Sequence, residues 1–318
     1  MDKVKRPNLK IFIITMGHSA IFDALAEAPV EICGLANCLP RRNKGVLGRV
    51  LAEKQSRGFL RKICDRQNIP YYEIPAKGPM GIRSRIRDSG ADLLVVYSMP
   101  RLLSKDVFSE TRYGAINLHP SMLPKYRGPN PWFWMYYDYD LNPGVTVHCV
   151  DEGEDTGDIL NQESFDVRCG IEFSEFKKKA IDEVGVKMLL KTIIEIAEGK
   201  ELRIRQPETS PTVRARNVEW NDKNIPIDWH AWTVDRVWHF LKGTKPWFDA
   251  LEGKTFLLPW LKWDPVDMYT CVLKGYNTGD IYKEDGRYFL ACSNGKIYLR
   301  KILSYKSFFA RVGVCYVG

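Results

Sequence analysis

The sequence lacks several features that would place it quickly in a class. Its 8 cysteines form no Cys-x-x-Cys pair, and its 5 histidines show no ligand spacing with acidic or cysteine partners. The apolar run Ile11 to Ile14 is too short for a membrane span or for the hydrophobic region of a signal peptide, and no repeat or low-complexity tract is evident. We therefore expect reduced cysteines, no metal, no membrane and a cytoplasmic location.

What is present is the composition of an ordinary globular protein. Hydrophobic residues make up 45% and charged residues 27% of 318 residues, a length that favours two domains. The 47 Lys+Arg exceed the 39 Asp+Glu and give a net charge of +8. That excess favours an anionic partner such as a nucleotide, a folate tail or RNA, although a basic surface that only aids solubility is an equal alternative.

The first two thirds of the chain alternate short apolar runs with helical patterns. Strands are predicted at Lys10–Thr15, Val30–Ala36, Ile69–Ile74, Asp92–Tyr97, Gly114–Leu118 and Gly144–Val150. Helices are predicted at Ala20–Ala28, at Arg83–Ser89, and from a Ser174 cap to a Gly199 stop. This order predicts an α/β fold with a Rossmann-like, mostly parallel sheet, whose ligands would lie beyond the carboxyl ends of the strands.

After Arg205 the sequence becomes polar, which is typical of a linker. A helix through Val234–Leu241 is followed by four short runs that predict a small C-terminal β-barrel-like domain of the OB type: Thr255–Leu258, Gly279–Tyr282, Tyr288–Cys292 and Ile297–Leu303. We expect a catalytic domain over 1–205, a linker over 206–222 and the barrel-like domain over 223–318. The aromatic-rich C-terminal half would suit a homodimer interface.

Three polar residues form the candidate catalytic set. Asn117 and His119 end a predicted strand two residues apart, so both can face one ligand atom. An amide can stabilise a developing oxyanion, an imidazole can take a proton from an attacking amine, and the Asp155 carboxylate could set the charge of that imidazole. Taken singly, Asn117 and Asp155 are more often turn or loop formers.

Three sequence blocks decide between these interpretations: NLHPSMLPKYRG, GVTVH and DEGEDTGDI. Together they resemble the folate-dependent formyltransferases, and the weaker similarity of the linker and C-terminal part is to methionyl-tRNA formyltransferase. The resemblance implies 10-formyltetrahydrofolate as donor, no metal, and Asn117, His119 and Asp155 as catalytic residues. It also implies cofactor contacts at Tyr97, Ser98, Met99, Pro100, Arg101, Leu102, Asp151, Glu152, Gly153 and Glu154.

The acceptor amine is less well specified. The chain has His119-Pro120-Ser121 and Arg127-Gly128-Pro129-Asn130-Pro131 where tRNA enzymes typically show His-Gly-Ser and Arg-Gly-Ala-Ala-Pro. These departures, and an aromatic run that could stack on a base or a hexose, lead us to expect a nucleotide-linked amino sugar. Its contacts would be Ser121, Lys125, Arg127, Gly128, Asn130 and Trp132.

Two alternatives stay open. The charge of +8, the barrel and the basic stretch Arg41 to Arg61 favour initiator methionyl-tRNA as acceptor. A non-catalytic folate- or nucleotide-binding protein that kept the fold is the alternative from another class, although all three catalytic residues are present.

Overall fold

The computed structural model describes residues 9–39, 58–75, 77, 80–218, 222, 224–254 and 261–303. A seven-stranded sheet has the order β3-β2-β1-β4-β5-β6-β7. Its strands are β1 (Lys10–Thr15), β2 (Glu31–Cys38), β3 (Tyr71–Ile74), β4 (Leu93–Val96), β5 (Ala115–His119), β6 (Gly144–Cys149) and β7 (Ile159–Ser164). Strands β1 to β5 are parallel, whereas β6 runs antiparallel to both β5 and β7. The predicted α/β class with a mostly parallel sheet is confirmed.

The helices that cover this sheet are α1 (Ala20–Glu27), α2 (58–66), α3 (Arg83–Ser89), α4 (Lys105–Phe108), α5 (Pro131–Tyr137), α6 (Phe173–Lys177) and α7 (Val186–Ala197). A π-helical stretch, Lys178–Gly185, joins α6 to α7. The predicted Ser174 cap is wrong, because α6 begins one residue earlier, at Phe173, after Glu172. The Phe173 ring packs against Trp132 and Trp247, which fixes the first turn without a side-chain cap.

The central strands β1 and β4 are buried on both faces of the sheet. Ile11, Ile13 and Val95 belong to one buried cluster and Ile14 and Val96 to another, so alternate side chains of β1 and β4 are buried on opposite sides of the sheet. Burying one such side chain contributes about 1.5–3 kcal/mol. The carboxyl ends of these strands are thereby held in fixed positions.

The C-terminal part consists of α8 (Val234–Gly243) and a four-stranded antiparallel sheet in the order β8-β11-β10-β9. Its strands are β8 (Leu261–Thr270), β9 (Ile281–Glu284), β10 (Arg287–Cys292) and β11 (Gly295–Leu303). The sequence did not predict β8 because Pro265 interrupts it. In the structure Pro265 lies at an irregularity of the β8–β11 register, where a missing backbone donor is tolerated.

Two predicted features fall outside the described residues: the Thr255–Leu258 strand and most of the basic stretch Arg41 to Arg61. The division into 1–205, 206–222 and 223–318 stays a prediction. The described residues of 206–222, called the linker below after that prediction, lie against the N-terminal part, where Ala215 exchanges backbone hydrogen bonds with Arg127 and Asn130. In the portions of the chain that the structure describes, no helix is long and apolar enough to cross a membrane.

Candidate active site

The neighbouring strands β5 and β6 bring Asn117 and His148 together. Strand β6 runs antiparallel to β5 and places His148 opposite Asn117. The Asn117 Nδ2 atom lies 3.1 Å from Nε2 of His148, and Nδ1 of His148 lies 2.8 Å from the carbonyl oxygen of Cys149. The carbonyl can only accept, so Nδ1 carries a proton and Nε2 is free to accept from the Asn117 amide. The sheet therefore fixes both the position and the tautomer of His148.

His119 is almost fully enclosed at the end of its strand. Its side chain lies at the end of β5, the residue is 4% exposed, and its Nε2 donates to the Tyr126 carbonyl oxygen at 3.1 Å. That bond leaves Nδ1 as the nitrogen that can gain a proton, and Nδ1 lies 3.6 Å from Oδ1 of Asp155. Burial lowers the pKa of His119, while the Asp155 carboxylate opposes this shift. The resting imidazole is thus neutral and has a carboxylate ready to stabilise its charged form.

Asp155 joins the two imidazoles. Its Oδ1 lies 3.6 Å from both His119 Nδ1 and His148 Nε2, and its Oδ2 accepts from the Gly128 amide at 2.9 Å. Burial alone would raise the pKa of Asp155, but attraction to His119 or His148 when either imidazole is protonated, together with the hydrogen bond from the Gly128 amide, holds it well below its ordinary range. The carboxyl group is therefore ionised at neutral pH.

The loop that carries Asp155 is held by hydrogen bonds within the loop and by hydrogen bonds from Gln206. The Asp151 carboxylate accepts from the Thr156 hydroxyl at 2.7 Å and from the Gly153 amide at 3.1 Å, which closes the turn. From outside, the Gln206 amide donates to the carbonyl oxygens of Asp155, at 3.0 Å, and Gly157, at 2.7 Å. Asp155 itself has φ +56°, a left-handed conformation that a non-glycine residue keeps only where its surroundings impose it.

Behind this loop is a cavity of about 480 Å³. It is lined by side chains of both charges, among them Arg127, Asp151, Asp158, Arg205 and Glu208. Its walls come from the loop and from the start of the linker, so the linker forms part of the surroundings of Asp155.

The predicted donor contacts after β4 lie at the carboxyl end of that strand, as expected for a ligand-binding loop. Tyr97 is almost fully buried, whereas Leu102 is 58% exposed. Ser98 has φ +52°, and the Arg101 guanidinium donates to the Pro75 carbonyl oxygen at 3.0 Å. Met99 packs against the second buried cluster. The contacts of Tyr97, Ser98, Met99, Pro100, Arg101 and Leu102 with a donor stay predictions.

The predicted donor contacts in the second loop have protein partners as well. Glu152 lies 3.8 Å from Lys105, and Glu154 pairs with the Arg214 guanidinium at 2.5–2.7 Å. Asp151 and Gly153 form the closed turn described above. Their roles toward a donor likewise stay predictions.

Several side chains predicted to contact the acceptor are buried and satisfied within the protein. Ser121 is fully buried and donates to the Lys125 carbonyl oxygen at 2.7 Å, and Asn130 caps α5. The buried guanidinium of Arg127 donates to Gln206 and to two linker carbonyl oxygens. Trp132 packs edge-on against Phe173 and Phe176 in the core. Acceptor contacts by these residues, and by Lys125 and Gly128, stay predictions, but the aromatic run no longer offers an open stacking surface.

Two residues of the site are absent from the predicted set. His148 is one of them, and the alternation of GVTVHC places it opposite Asn117 once β6 is known to be antiparallel. Gln206 gave no signal, because its contacts with Asp155 and Gly157 join segments about fifty positions apart. Within the described residues, no group of three or more His, Cys, Asp or Glu side chains could hold a metal ion.

Comparisons with known proteins match the region of the chain that carries Asn117, His119, His148 and Asp155. The family model described as "Formyl transferase" matches residues 17–193. A methionyl-tRNA formyltransferase of Clostridium acetobutylicum is 28% identical over 65% of this chain and 64% of that protein. A second one, from Anaeromyxobacter dehalogenans, is 31% identical over 74% of this chain and 73% of that protein. This chain therefore spans less than two thirds of the first relative's length.

A solved structure extends the similarity beyond the matched family region. HypX from Aquifex aeolicus superposes on 98% of this chain and 49% of that chain, with a TM-score of 0.54 and 12% identity. At that identity the comparison bears on the fold alone. It shows that the arrangement of the N-terminal sheet together with the C-terminal part occurs in a protein of known structure.

Proposed function

Because the chain belongs to the formyl transferase family, we propose that it transfers a formyl group from 10-formyltetrahydrofolate to a primary amine. The family uses formyl-tetrahydrofolate as its donor. In the reaction the amine nitrogen attacks the formyl carbon, a tetrahedral oxyanion forms, and the carbon–nitrogen bond to the folate breaks. The nitrogen that attacks loses a proton and the folate nitrogen that leaves gains one.

The observation that carries this proposal is the convergence of Asn117, His119 and Asp155. An amide donor at a strand end suits a developing oxyanion, for which one positioned donor contributes about 3–4 kcal/mol to lowering the barrier. Nδ1 of His119 is the nitrogen left to accept a proton, and an ionised carboxylate 3.6 Å away stabilises the resulting imidazolium. In the proposal Asn117 stabilises the oxyanion, His119 accepts the proton of the attacking amine, and Asp155 stabilises the protonated imidazole.

For the acceptor we now favour the charged initiator methionyl-tRNA over the amino sugar. The relatives reported above are named methionyl-tRNA formyltransferases, and a net charge of +8 suits a polyanion. One of the two supports for a sugar nucleotide was an aromatic run open for stacking, and Phe133 and Trp134 of that run are buried in α5. The departures in the His119-Pro120-Ser121 and Arg127-Gly128-Pro129 segments still favour the nucleotide-linked amino sugar as second candidate. A cytoplasmic location and a homodimer stay predictions.

Replacement of His119 tests the reaction itself. His119→Ala and His119→Asn should each reduce formyl transfer from 10-formyltetrahydrofolate by at least about a hundredfold, because the acceptor for the amine proton is lost. His230→Ala is the matched control, since His230 is exposed and its ring hydrogen-bonds the Thr278 hydroxyl. Transfer by the His119 variants at the wild-type rate would overturn the proposed chemistry. Wild-type protein that binds the folate but transfers nothing would indicate the non-catalytic binding protein.

A mass-spectrometric assay separates the acceptors. Purified protein and 10-formyltetrahydrofolate are incubated with charged initiator tRNA and, separately, with a panel of nucleotide-linked amino sugars. A mass increase of one formyl group on the methionyl-tRNA supports our acceptor. Formylation confined to a sugar nucleotide would overturn it and reinstate the candidate favoured by the sequence motifs.

A further inference from the structure

A closed ring of contacts surrounds Asp155 and includes a residue of the linker. Gly128 donates its amide to Oδ2 of Asp155 at 2.9 Å, and the next residue back along the chain, Arg127, donates to the Gln206 side-chain oxygen at 2.8 and 3.2 Å. The Gln206 amide in turn donates to the Asp155 carbonyl oxygen at 3.0 Å. The 121–130 segment, the Asp155 loop and the start of the linker are thus tied at one point.

The side-chain nitrogen and oxygen of Gln206 both make hydrogen bonds in this ring. It is 6% exposed, its amide nitrogen bonds the carbonyl oxygens of Asp155 and Gly157, and its oxygen accepts from two nitrogens of Arg127. A buried amide with every hydrogen-bonding group paired has one position that satisfies it, so it is a stiff link rather than an adjustable one.

Arg127 keeps the other side of the ring fixed. Its guanidinium also donates to the carbonyl oxygens of Pro207, at 2.8 Å, and Glu208, at 3.0 Å. The guanidinium therefore holds the linker at the Gln206 side chain and at the backbone of the two residues that follow it. Within the described residues Arg127 makes no ion pair, so its contacts are with neutral oxygens and serve to hold the backbone.

We propose that Gln206 is a positioning residue that sets the place of the Asp155 carboxylate relative to His119, so that the linker is a working part of the catalytic site. This proposal rests on the proposed function only for its effect on kcat; the position of the carboxylate does not depend on it. Asp155 has the strained φ of +56°, and Gln206 holds the carbonyl oxygen of that same residue. When the link is removed, the loop relaxes and the carboxylate moves away from Nδ1 of His119.

The test compares Gln206→Met, which keeps the volume but has no hydrogen bonds to offer, with Ser210→Ala. Ser210 is a matched control, because it lies in the same linker and donates to Pro124 at 2.7 Å without touching Asp155. Gln206→Met should lower kcat by about a hundredfold with little change in KM for the donor, since a misplaced group affects the chemical step. Ser210→Ala should keep the wild-type kcat.

Titration of the His119 imidazole by NMR, without substrate, gives a second readout. The titratable groups that act on His119 are Asp155, His148 and Glu154, and the Asp155 carboxylate raises its pKa. The midpoint in Gln206→Met should therefore move to lower pH. If Gln206→Met does not fold, Arg127→Lys breaks the same ring and should shift kcat and midpoint in the same directions.

The outcomes distinguish the positioning role of Gln206 from the proposed formyl transfer. Unchanged kcat and midpoint in a folded variant would overturn the positioning role, and so would a lower kcat with an unmoved midpoint. A midpoint that moves in a protein whose wild type transfers no formyl group would support the positioning role and overturn the proposed function.

Discussion

The strand ends of the large sheet and the outer face of the small sheet use polar and aromatic residues in opposite ways. At the catalytic edge, named after the proposed function and defined as Asn117, His119, His148 and Asp155, each side chain contacts another member and two of the residues are more than nine-tenths buried. On the tyrosine face, defined as Tyr269, Tyr276, Tyr282, Tyr298 and Phe289, rings pack around the buried Phe289 while Tyr269 is 47% exposed.

The difference concerns what each region loses when one group is removed. In the catalytic edge a missing partner leaves a buried polar group or charge unpaired, which is costly and specific. On the tyrosine face, water replaces the exposed groups when they are lost, so single contacts made by its exposed side chains contribute little. Chemistry is therefore expected at the edge, and the four predictions below test that contrast from the largest effect to the smallest.

Asp155→Asn should have the largest effect. Asparagine keeps the shape and can still accept from the Gly128 amide, but it removes the charge that stabilises protonated His119. We expect kcat to fall by about a thousandfold, within the range of a lost acid–base partner. Asp158→Asn is the matched control on the same loop. Steady-state kinetics that show equal activity for both variants would remove Asp155 from the catalytic set.

Gly128→Ala should damage the same edge through the backbone. Gly128 has φ +126°, and a methyl group there would lie 2.9 Å from the Ala215 carbonyl oxygen of the linker. We expect the free energy of unfolding to fall by about 3 kcal/mol, from strain and overpacking together, with a loss of activity. Gly199→Ala has φ +66° but open space around the added carbon, so it should lose about 1 kcal/mol by strain alone. Urea unfolding measures both, and equal losses would show that the linker contact does not matter.

The lowered pKa of His239, which lies where the N-terminal and C-terminal parts of the chain meet, predicts that the stability of the protein depends on pH. Its Nδ1 accepts from the Gly170 amide at 3.0 Å, and burial lowers the pKa of His239 from 6.5 to about 4. Above pH 6.5 the ring is neutral in both states and its contribution is complete. As the pH falls from 6.5 toward 4, the unfolded chain binds a proton that the folded protein does not, so stability is lost. At pH 5 this amounts to about 2 kcal/mol.

Urea unfolding at pH 5 and pH 7.5 checks this prediction with His239→Asn, whose side-chain oxygen can still accept from Gly170. The variant should lose less stability between the two pH values than the wild type does. His230→Asn, at an exposed position, should keep the wild-type pH dependence. If all three proteins lost the same amount, His239 would not be the titrating group.

The sequence predicts the parts of this molecule that depend on local pattern. The apolar run at Asp92–Tyr97 became the central strand β4, and α3 has the predicted bounds, because burial on both sheet faces and helical spacing are visible within a few residues. Strand β8 escaped prediction because its Pro265 is tolerated only through a register irregularity with β11. Gln206 escaped because its role depends on contacts between distant segments, and no local pattern encodes them.

The smallest effect is expected on the tyrosine face. The Arg287 guanidinium lies 3.7 Å from the centre of the Tyr298 ring, which is the closest cation–ring contact among the described residues. Since Arg287 is exposed, Arg287→Ala should lower the free energy of unfolding by less than about 1 kcal/mol and leave kcat at saturating acceptor unchanged. Kinetics and urea unfolding on one preparation check both expectations. A large fall in kcat would mean that the small sheet takes part in the chemical step, and the separation between a catalytic edge and a tyrosine face would then be wrong.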